Sequence, residues 1–77
     1  MNLREKLEIK KTFNTEELFY WLRKKLHFFE QYQNIFAMNH IDGSKFFDLD
    51  NNGLKQLGIQ VINHRIGFIG VIGKYMR

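Results

Sequence analysis

The sequence predicts an all-α protein, a small five-helix bundle with a long C-terminal helix. Its 77 residues suffice for one small core, and because they include no cysteine, neither disulfides nor cysteine zinc sites can hold that core together. Hydrophobic residues form 44% of the chain, which is too apolar for a disordered protein. The chain lacks proline, and its apolar residues recur mostly at steps of three and four, which is typical of helices.

The N-terminal part of the chain predicts a charged tail followed by the first helix. Half of residues 1–12 are charged, so we expect a tail or a frayed helical segment there and the domain itself over residues 13–77. A helix is predicted over residues 15–26, since Asn14 and Glu17 have the spacing of a capping box. Its apolar residues fall on one face, and these are Leu18, Trp21, Leu22 and Leu26.

The middle of the chain predicts two further helical segments. Residues 28–38 carry large apolar side chains at helical spacing, namely Phe28, Phe29, Tyr32, Ile35 and Phe36. The polar residues 39–44 then predict a turn. Ser44, at the end of that turn, is placed to cap a short helix that holds Phe46, Phe47 and Leu49.

The last part of the chain predicts a short fourth helix and a long fifth one. Gly58 is placed to end the fourth helix, which follows the turn at residues 50–53, with a left-handed backbone. The fifth helix is predicted over residues 62–76, because apolar residues recur there at Ile62, Ile66, Ile69, Ile72 and Met76. A strand over residues 58–62 is the main alternative, but it has no partner of similar character. The residues expected to be largely buried are Trp21, Tyr32, Phe36, Leu57 and Ile69.

The sequence predicts no catalytic site, no metal site and no cofactor. Its three histidines lack metal-ligand spacing. Asp42, Asp48 and Asp50 lie close together, but a Ca²⁺ loop that started at Asp48 would need a Glu where Ile59 stands. Capping of short helices accounts better for these acids. We therefore expect a non-catalytic domain without a small-molecule substrate, although a longer parent protein could carry a catalytic domain such as a kinase.

The charge pattern and the apolar stretches give weak indications of location and partners. The net charge of +4 is spread along the chain, and the dense run Arg23-Lys24-Lys25 is expected to be a solvated helix face. No apolar stretch approaches the roughly 20 residues that cross a bilayer, and residues 1–5 do not begin a signal peptide. We expect a cytoplasmic protein.

Three glycines lie inside the predicted fifth helix, at Gly67, Gly70 and Gly73. Each glycine in a helix costs roughly 0.5 to 1 kcal/mol relative to Ala. A compensating role as a close-packing stripe, against this domain or a second protein, is one interpretation. The other is that these positions are exposed and tolerate any residue.

The order of the apolar and turn residues resembles the sterile alpha motif (SAM) domain. The residues that carry the resemblance are Trp21-Leu22, Tyr32, Phe36, Ile41-Asp42-Gly43, Phe46-Phe47, Leu49, Leu54, Leu57-Gly58-Ile59, His64-Arg65, Ile69 and Ile72. It extends from about Leu18 to Tyr75 and implies a five-helix bundle whose last helix is the longest.

The sequence departs from the SAM pattern in three places. The segment between Trp21 and Tyr32 is one or two residues longer than usual, so the turn after the first helix is expected to be reshaped. Asn63 stands where Gly is usual, and Asn also caps helices well. Ile66 and Gly67 stand at positions that are commonly basic in the family.

The resemblance implies a protein–protein interaction module, in which a mid-loop surface of one SAM domain binds an end-helix surface of another. The implied mid-loop surface consists of Asp42, Asp48, Asp50 and Lys55. The implied end-helix surface consists of Val61, Ile62, Asn63, His64 and Arg65. The expected function is homo- or hetero-association, including oligomerisation, within a larger signalling or scaffold protein. The competing interpretation is that the acids only cap helices, Arg65 is merely solvated, and Val61 and Ile62 belong to the core.

RNA hairpin binding is the alternative that the resemblance leaves open, because some SAM domains bind hairpin loops through a basic surface around the last helix. Affinity for RNA depends on Lys and Arg that neutralise phosphates. Ile66 and Gly67 remove two of the expected charges, which argues against RNA. Binding of a lipid surface by residues 23–25 ranks lower still, since the neighbouring aromatic residues are needed for the core.

Overall fold

The computed structural model describes residues 10–75 and confirms an all-α fold. Between residues 13 and 75 the helices are α1 (Thr15–Lys25), α2 (Gln33–Met38), α3 (Gly43–Phe47), α4 (Asn51–Leu57) and α5 (Ile62–Tyr75). A 3-10 helix, Phe29–Tyr32, leads into α2. Residues 10–75 contain no strand, so the alternative at residues 58–62 does not form. Most of the predicted tail, residues 1–9, lies outside the described residues, as does Met76.

Helix α1 begins with the predicted capping box. The Asn14 side chain accepts from the backbone N–H of Glu17 (2.9 Å), and the Glu17 carboxylate accepts from the backbone N–H of Asn14 (3.0 Å). Two of the backbone donors that every helix start leaves unpaired are thus satisfied. The helix ends at Lys25, because Leu26 has an extended backbone (φ −131°, ψ 108°).

The segment predicted as one helix over residues 28–38 is divided into the 3-10 helix and α2. In a 3-10 helix, side chains three positions apart lie one above the other. This spacing directs both Phe29 and Tyr32 into the core. The tighter helix therefore accommodates the long turn between α1 and α2 while it keeps both rings buried.

Helix α3 begins two residues earlier than predicted, because its cap is Asp42 and not Ser44, and it ends at Phe47, so Leu49 lies outside it. The Asp42 carboxylate accepts from the backbone N–H of Lys45 (3.0 Å). Gly43 lies against the chain before α1, since its N–H donates to the carbonyl of Phe13 (2.9 Å) and a Cβ at this position would collide with the carbonyl oxygen of Lys10. Because Gly43 has no side chain, it leaves room for residues 10–13 to pack against the start of α3.

Helix α4 ends at Gly58 as predicted, but it begins at Asn51, inside the stretch 50–53 that the sequence predicts as a turn. The Asp50 carboxylate accepts from the backbone N–H of Gly53 (2.7 Å), and Gly58 ends the helix with φ 104°. Such a positive φ is unfavourable for residues with a Cβ, so Gly58 fixes where the chain turns towards α5.

The core centres on the ring of Phe68 in α5. This fully buried ring packs against aromatic side chains from α2, α3 and the turn after α1, namely Phe28, Phe29, Tyr32, Phe36 and Phe46. Tyr32 and Phe36 are buried as predicted, whereas Trp21 and Leu57 are only half-buried. Ile69 is exposed, so its predicted core position is wrong.

Candidate interaction surfaces

Helix α5 begins after a short non-helical stretch that the fully buried Ile59 anchors. The Val61 carbonyl accepts from the backbone N–H groups of His64 (3.0 Å) and Arg65 (3.1 Å), which closes the first helical turn. With Ile59 in the core, the next residues lie at the surface. The side chains of Val61, Ile62 and Asn63, all in the predicted end-helix surface, are exposed.

An apolar strip follows along the exposed side of α5. The exposed fractions are 47% for Val61, 64% for Ile62, 59% for Ile66 and 37% for Ile69, and these four residues are named the α5 strip. Steps of four and three place the three isoleucines on one helix face. The sequence prediction put Ile69 of that face in the core, and this is wrong because Arg65, Phe68 and Ile72 occupy the buried side.

One signal in the sequence could have located the exposed side of α5. Ile66 stands at a position where the SAM pattern commonly has a basic residue. Basic residues are rarely fully buried, so that position belongs to the surface. The residue that replaces the basic one is therefore exposed, and Ile62 and Ile69 share its face.

Arg65 contributes to the fold and not to a charged surface. It is only 9% exposed, and its guanidinium group donates to the carbonyls of Ile59 (2.7 Å) and Gln60 (3.2 Å) and to the Asn51 side chain (3.0 Å). These bonds hold the start of α5 against the start of α4. The positive charge expected on the end-helix surface is thus engaged inside the domain.

His64 joins the start of α5 to the turn after α1. Its ring stacks on Phe28 with centroids 4.2 Å apart, and its Nδ1 lies 2.6 Å from the Tyr32 hydroxyl and 3.4 Å from the Gln31 amide nitrogen. In this hydrogen bond the Tyr32 phenol donates when the ring proton of His64 lies on Nε2, and it accepts when the proton lies on Nδ1. His64 is half-buried, so it contributes mainly to positioning α5.

The predicted mid-loop residues divide into caps and free surface groups. Asp42 and Asp50 cap α3 and α4, as the capping interpretation predicts, but the Asp48 side chain caps no helix within residues 10–75, so that interpretation is wrong for Asp48. Asp48 and Lys55 are exposed, and their side chains form no hydrogen bond or ion pair within residues 10–75. Two of the four residues are therefore available to a partner without disturbing a helix start.

An open groove of about 600 Å³ lies beside His64. The residues that line it are His27, Phe28, Glu30, Gln31 and His64. Within the described residues, no group of three or more His, Cys, Asp or Glu side chains is arranged to hold a metal ion. The groove offers hydrogen-bonding side chains but no set of ligands for metal chemistry.

The three glycines of α5 have different surroundings. A Cβ at Gly67 would come within 2.7 Å of the Phe28 ring, so close packing inside the domain requires a glycine there. Cβ atoms at Gly70 and Gly73 would meet nothing within 4 Å in the described part of the chain. Packing of a partner against Gly70 and Gly73 stays a prediction.

The three basic residues at the end of α1, Arg23, Lys24 and Lys25, each contact different neighbours. Arg23 donates to the Gln33 side chain (2.6 Å), and the Lys24 ammonium lies 4.2 Å from the Tyr20 ring centroid. The hydrogen bond from Lys24, and secondly its charge, lowers the pKa of the Tyr20 hydroxyl. Lys25 extends towards Trp21 and Tyr75.

The family of the chain follows from its helix order and from its match to a known family. A family model described as "SAM-like domain" matches residues 2–66. The chain belongs to the SAM-like domain family. No curated protein and no solved structure matches it at a significant level.

Membership of the SAM-like family agrees with the five helices and the long α5. SAM-like domains are generally non-catalytic. Among residues 10–75, no helix combines the length and the apolar character that crossing a membrane requires.

Proposed function

We propose that this SAM-like domain is a non-catalytic protein–protein interaction module that associates with a second copy of itself, or with a related domain, through the α5 strip. The observation that supports the proposal is the exposure of four large aliphatic residues on one region of the surface. Contiguous exposed apolar patches on soluble domains are typical of protein interfaces, because burying them against a partner removes apolar area from water.

The α5 strip overlaps the end-helix surface that the SAM resemblance implies. With Arg65 engaged by carbonyl groups, the exposed residues of this surface are the apolar Val61 and Ile62 and the polar Asn63. Apolar centres with polar rims are usual in protein interfaces. The proposed association is therefore driven by burial of Ile62 and Ile66 against the partner.

The RNA alternative gains no support from the surface of α5. RNA binding at the start of this helix would depend on accessible cations. Arg65 is buried there and Ile66 is apolar. Protein binding accounts for an exposed isoleucine, whereas phosphate binding does not. The proposal places the module in the cytoplasm, within a larger signalling or scaffold protein.

Sedimentation velocity over a concentration series tests the proposed self-association. The wild type is expected to sediment faster as the concentration rises, and Ile66→Lys is expected to stay monomeric, because burying an unpaired ammonium group in an interface is unfavourable. Tyr20→Lys is the matched control, since Tyr20 is also exposed (59%) but lies on α1. A wild type that is monomeric throughout, or an Ile66→Lys variant that sediments like the wild type, would contradict the proposal.

A further inference from the structure

Three lysines from separate parts of the chain converge on one aromatic ring. The Nζ atoms of Lys10, Lys25 and Lys74 lie 4.9, 5.8 and 5.7 Å from the centroid of the Tyr75 ring. Those of Lys10 and Lys25 also lie 5.7 and 5.9 Å from the Trp21 ring, which packs edge to face on Tyr75 with centroids 5.1 Å apart. These five residues are named the lysine–aromatic cluster.

The cluster concentrates positive charge that no acid neutralises within residues 10–75. Each ammonium group interacts favourably with the face of an aromatic ring. No carboxylate of the described residues forms an ion pair with any of the three lysines. Because the ammonium groups lie within about one Debye length of one another at 0.1 M salt, they repel. Lys25 and Lys74 are exposed, so a negatively charged partner can reach them and relieve this repulsion.

We propose that the lysine–aromatic cluster binds an acidic segment of a protein, a stretch rich in Asp and Glu. The proposal rests on the proposed function as an interaction module, but it concerns a different surface from the α5 strip. Carboxylates on a flexible segment can approach the three ammonium groups independently, since the cations come from the chain before α1, the last turn of α1 and the last turn of α5. Charge complementarity selects the partner here.

The packing of the rings favours an acidic peptide over a nucleic acid. Single-stranded nucleic acids bind to basic surfaces largely by stacking their bases on open aromatic faces. The faces of Trp21 and Tyr75 are approached by the domain's own lysines, and Trp21 also packs against Phe13 and Phe47. No open platform for a base is left on Trp21.

The surroundings of the cluster also favour a peptide over a membrane. Peripheral membrane binding combines basic residues with apolar side chains that enter the lipid. Trp21 and Tyr75 pack against the hydrophobic core. The exposed large apolar residues of the described chain lie elsewhere, and they are Tyr20, Met38, Val61, Ile62, Ile66 and Ile69. The cluster therefore offers charge without an inserting side chain.

The fluorescence of Trp21 provides a direct measurement at this site, because Trp21 is the single tryptophan of the chain. Titration of the 77-residue protein with a peptide of ten glutamates is expected to change the emission of Trp21 saturably, and added salt should weaken the binding. Lys25→Gln and Lys74→Gln are each expected to weaken it by about twofold to fivefold, which is typical of exposed ion pairs. Lys45→Gln, an exposed lysine of α3, is the matched control and should leave the affinity unchanged.

Measuring both peptide binding and self-association on Ile66→Lys and Lys25→Gln separates this proposal from the proposed function. Ile66→Lys should still bind the glutamate peptide, and Lys25→Gln should still self-associate. An absent or unsaturable response of Trp21, or equal losses in Lys25→Gln and Lys45→Gln, would overturn the proposal. Tighter binding of a uridine oligonucleotide, or of phosphatidylserine–phosphatidylcholine vesicles, than of the peptide would overturn it in favour of that partner.

Discussion

The two sides of α5 are both apolar, yet one is core and the other is surface. The buried side carries Phe68 and Ile72, and the exposed side carries Ile62, Ile66 and Ile69. The difference lies in what each side meets. Phe68 fits among the aromatic rings of α2, α3 and the turn after α1, whereas the three isoleucines are exposed and belong neither to the core nor to the partly buried residues packed against it. Apolar character alone therefore does not identify the core face of this helix.

The largest expected change in stability comes from shortening a side chain on the buried side of α5, and the same change on the exposed side should have little effect. Phe68→Ala removes the ring at the centre of the core and should lower the free energy of unfolding by about 3 to 5 kcal/mol. Ile66→Ala, on the exposed side, should change it by less than about 0.5 kcal/mol. Urea denaturation of both variants measures the difference. Similar losses in the two variants would show that the assignment of the sides is wrong.

The next largest change in stability is expected from replacing Arg65, the one charged residue on the buried side of α5. Arg65→Met should lower the free energy of unfolding by about 2 to 3 kcal/mol, because the carbonyls of Ile59 and Gln60 lose their donor. Arg65→Lys should not restore it fully, since one ammonium group lacks the planar fork of a guanidinium. Thermal melts compare the variants. If Arg65→Met is as stable as the wild type, the assignment of Arg65 to the buried side of α5 is wrong.

Alanine substitutions at two glycines of α5 are expected to change the stability of the domain by smaller amounts and in opposite directions. Gly67→Ala should destabilise the domain by about 1 kcal/mol, because its Cβ presses on the Phe28 ring. Gly70→Ala should stabilise it by roughly 0.5 to 1 kcal/mol, since alanine favours the helix and its Cβ has open space. Melting temperatures of the two variants should move in opposite directions. A loss of stability in Gly70→Ala would indicate a packing contact at that position.

Features that depend on neighbouring residues could be predicted from the sequence. The capping box of Asn14 and Glu17 and the left-handed Gly58 each follow from a few adjacent residues, and both are confirmed. The sequence predicts Ser44 as the cap of α3, because it does not show that Gly43 is needed where residues 10–13 approach.

Features that depend on distant contacts could not be predicted in this way. In a helix that is apolar on both sides, spacing identifies two candidate faces and does not choose between them. The choice depends on the ring packing around Phe68. The role of Arg65 likewise depends on carbonyls before α5 and on Asn51 in α4. The lysine–aromatic cluster joins residues 10, 25 and 74, which no local pattern connects.

The central claim is that the exposed side of α5 is an association surface. Its most direct test is the set of backbone amide chemical shifts of ¹⁵N-labelled protein, recorded over a dilution series. Self-association through the α5 strip predicts concentration-dependent shifts at Val61, Ile62, Ile66 and Ile69, and their loss in Ile66→Lys. Shifts that are independent of concentration, or that change only outside residues 61–69, would contradict the claim.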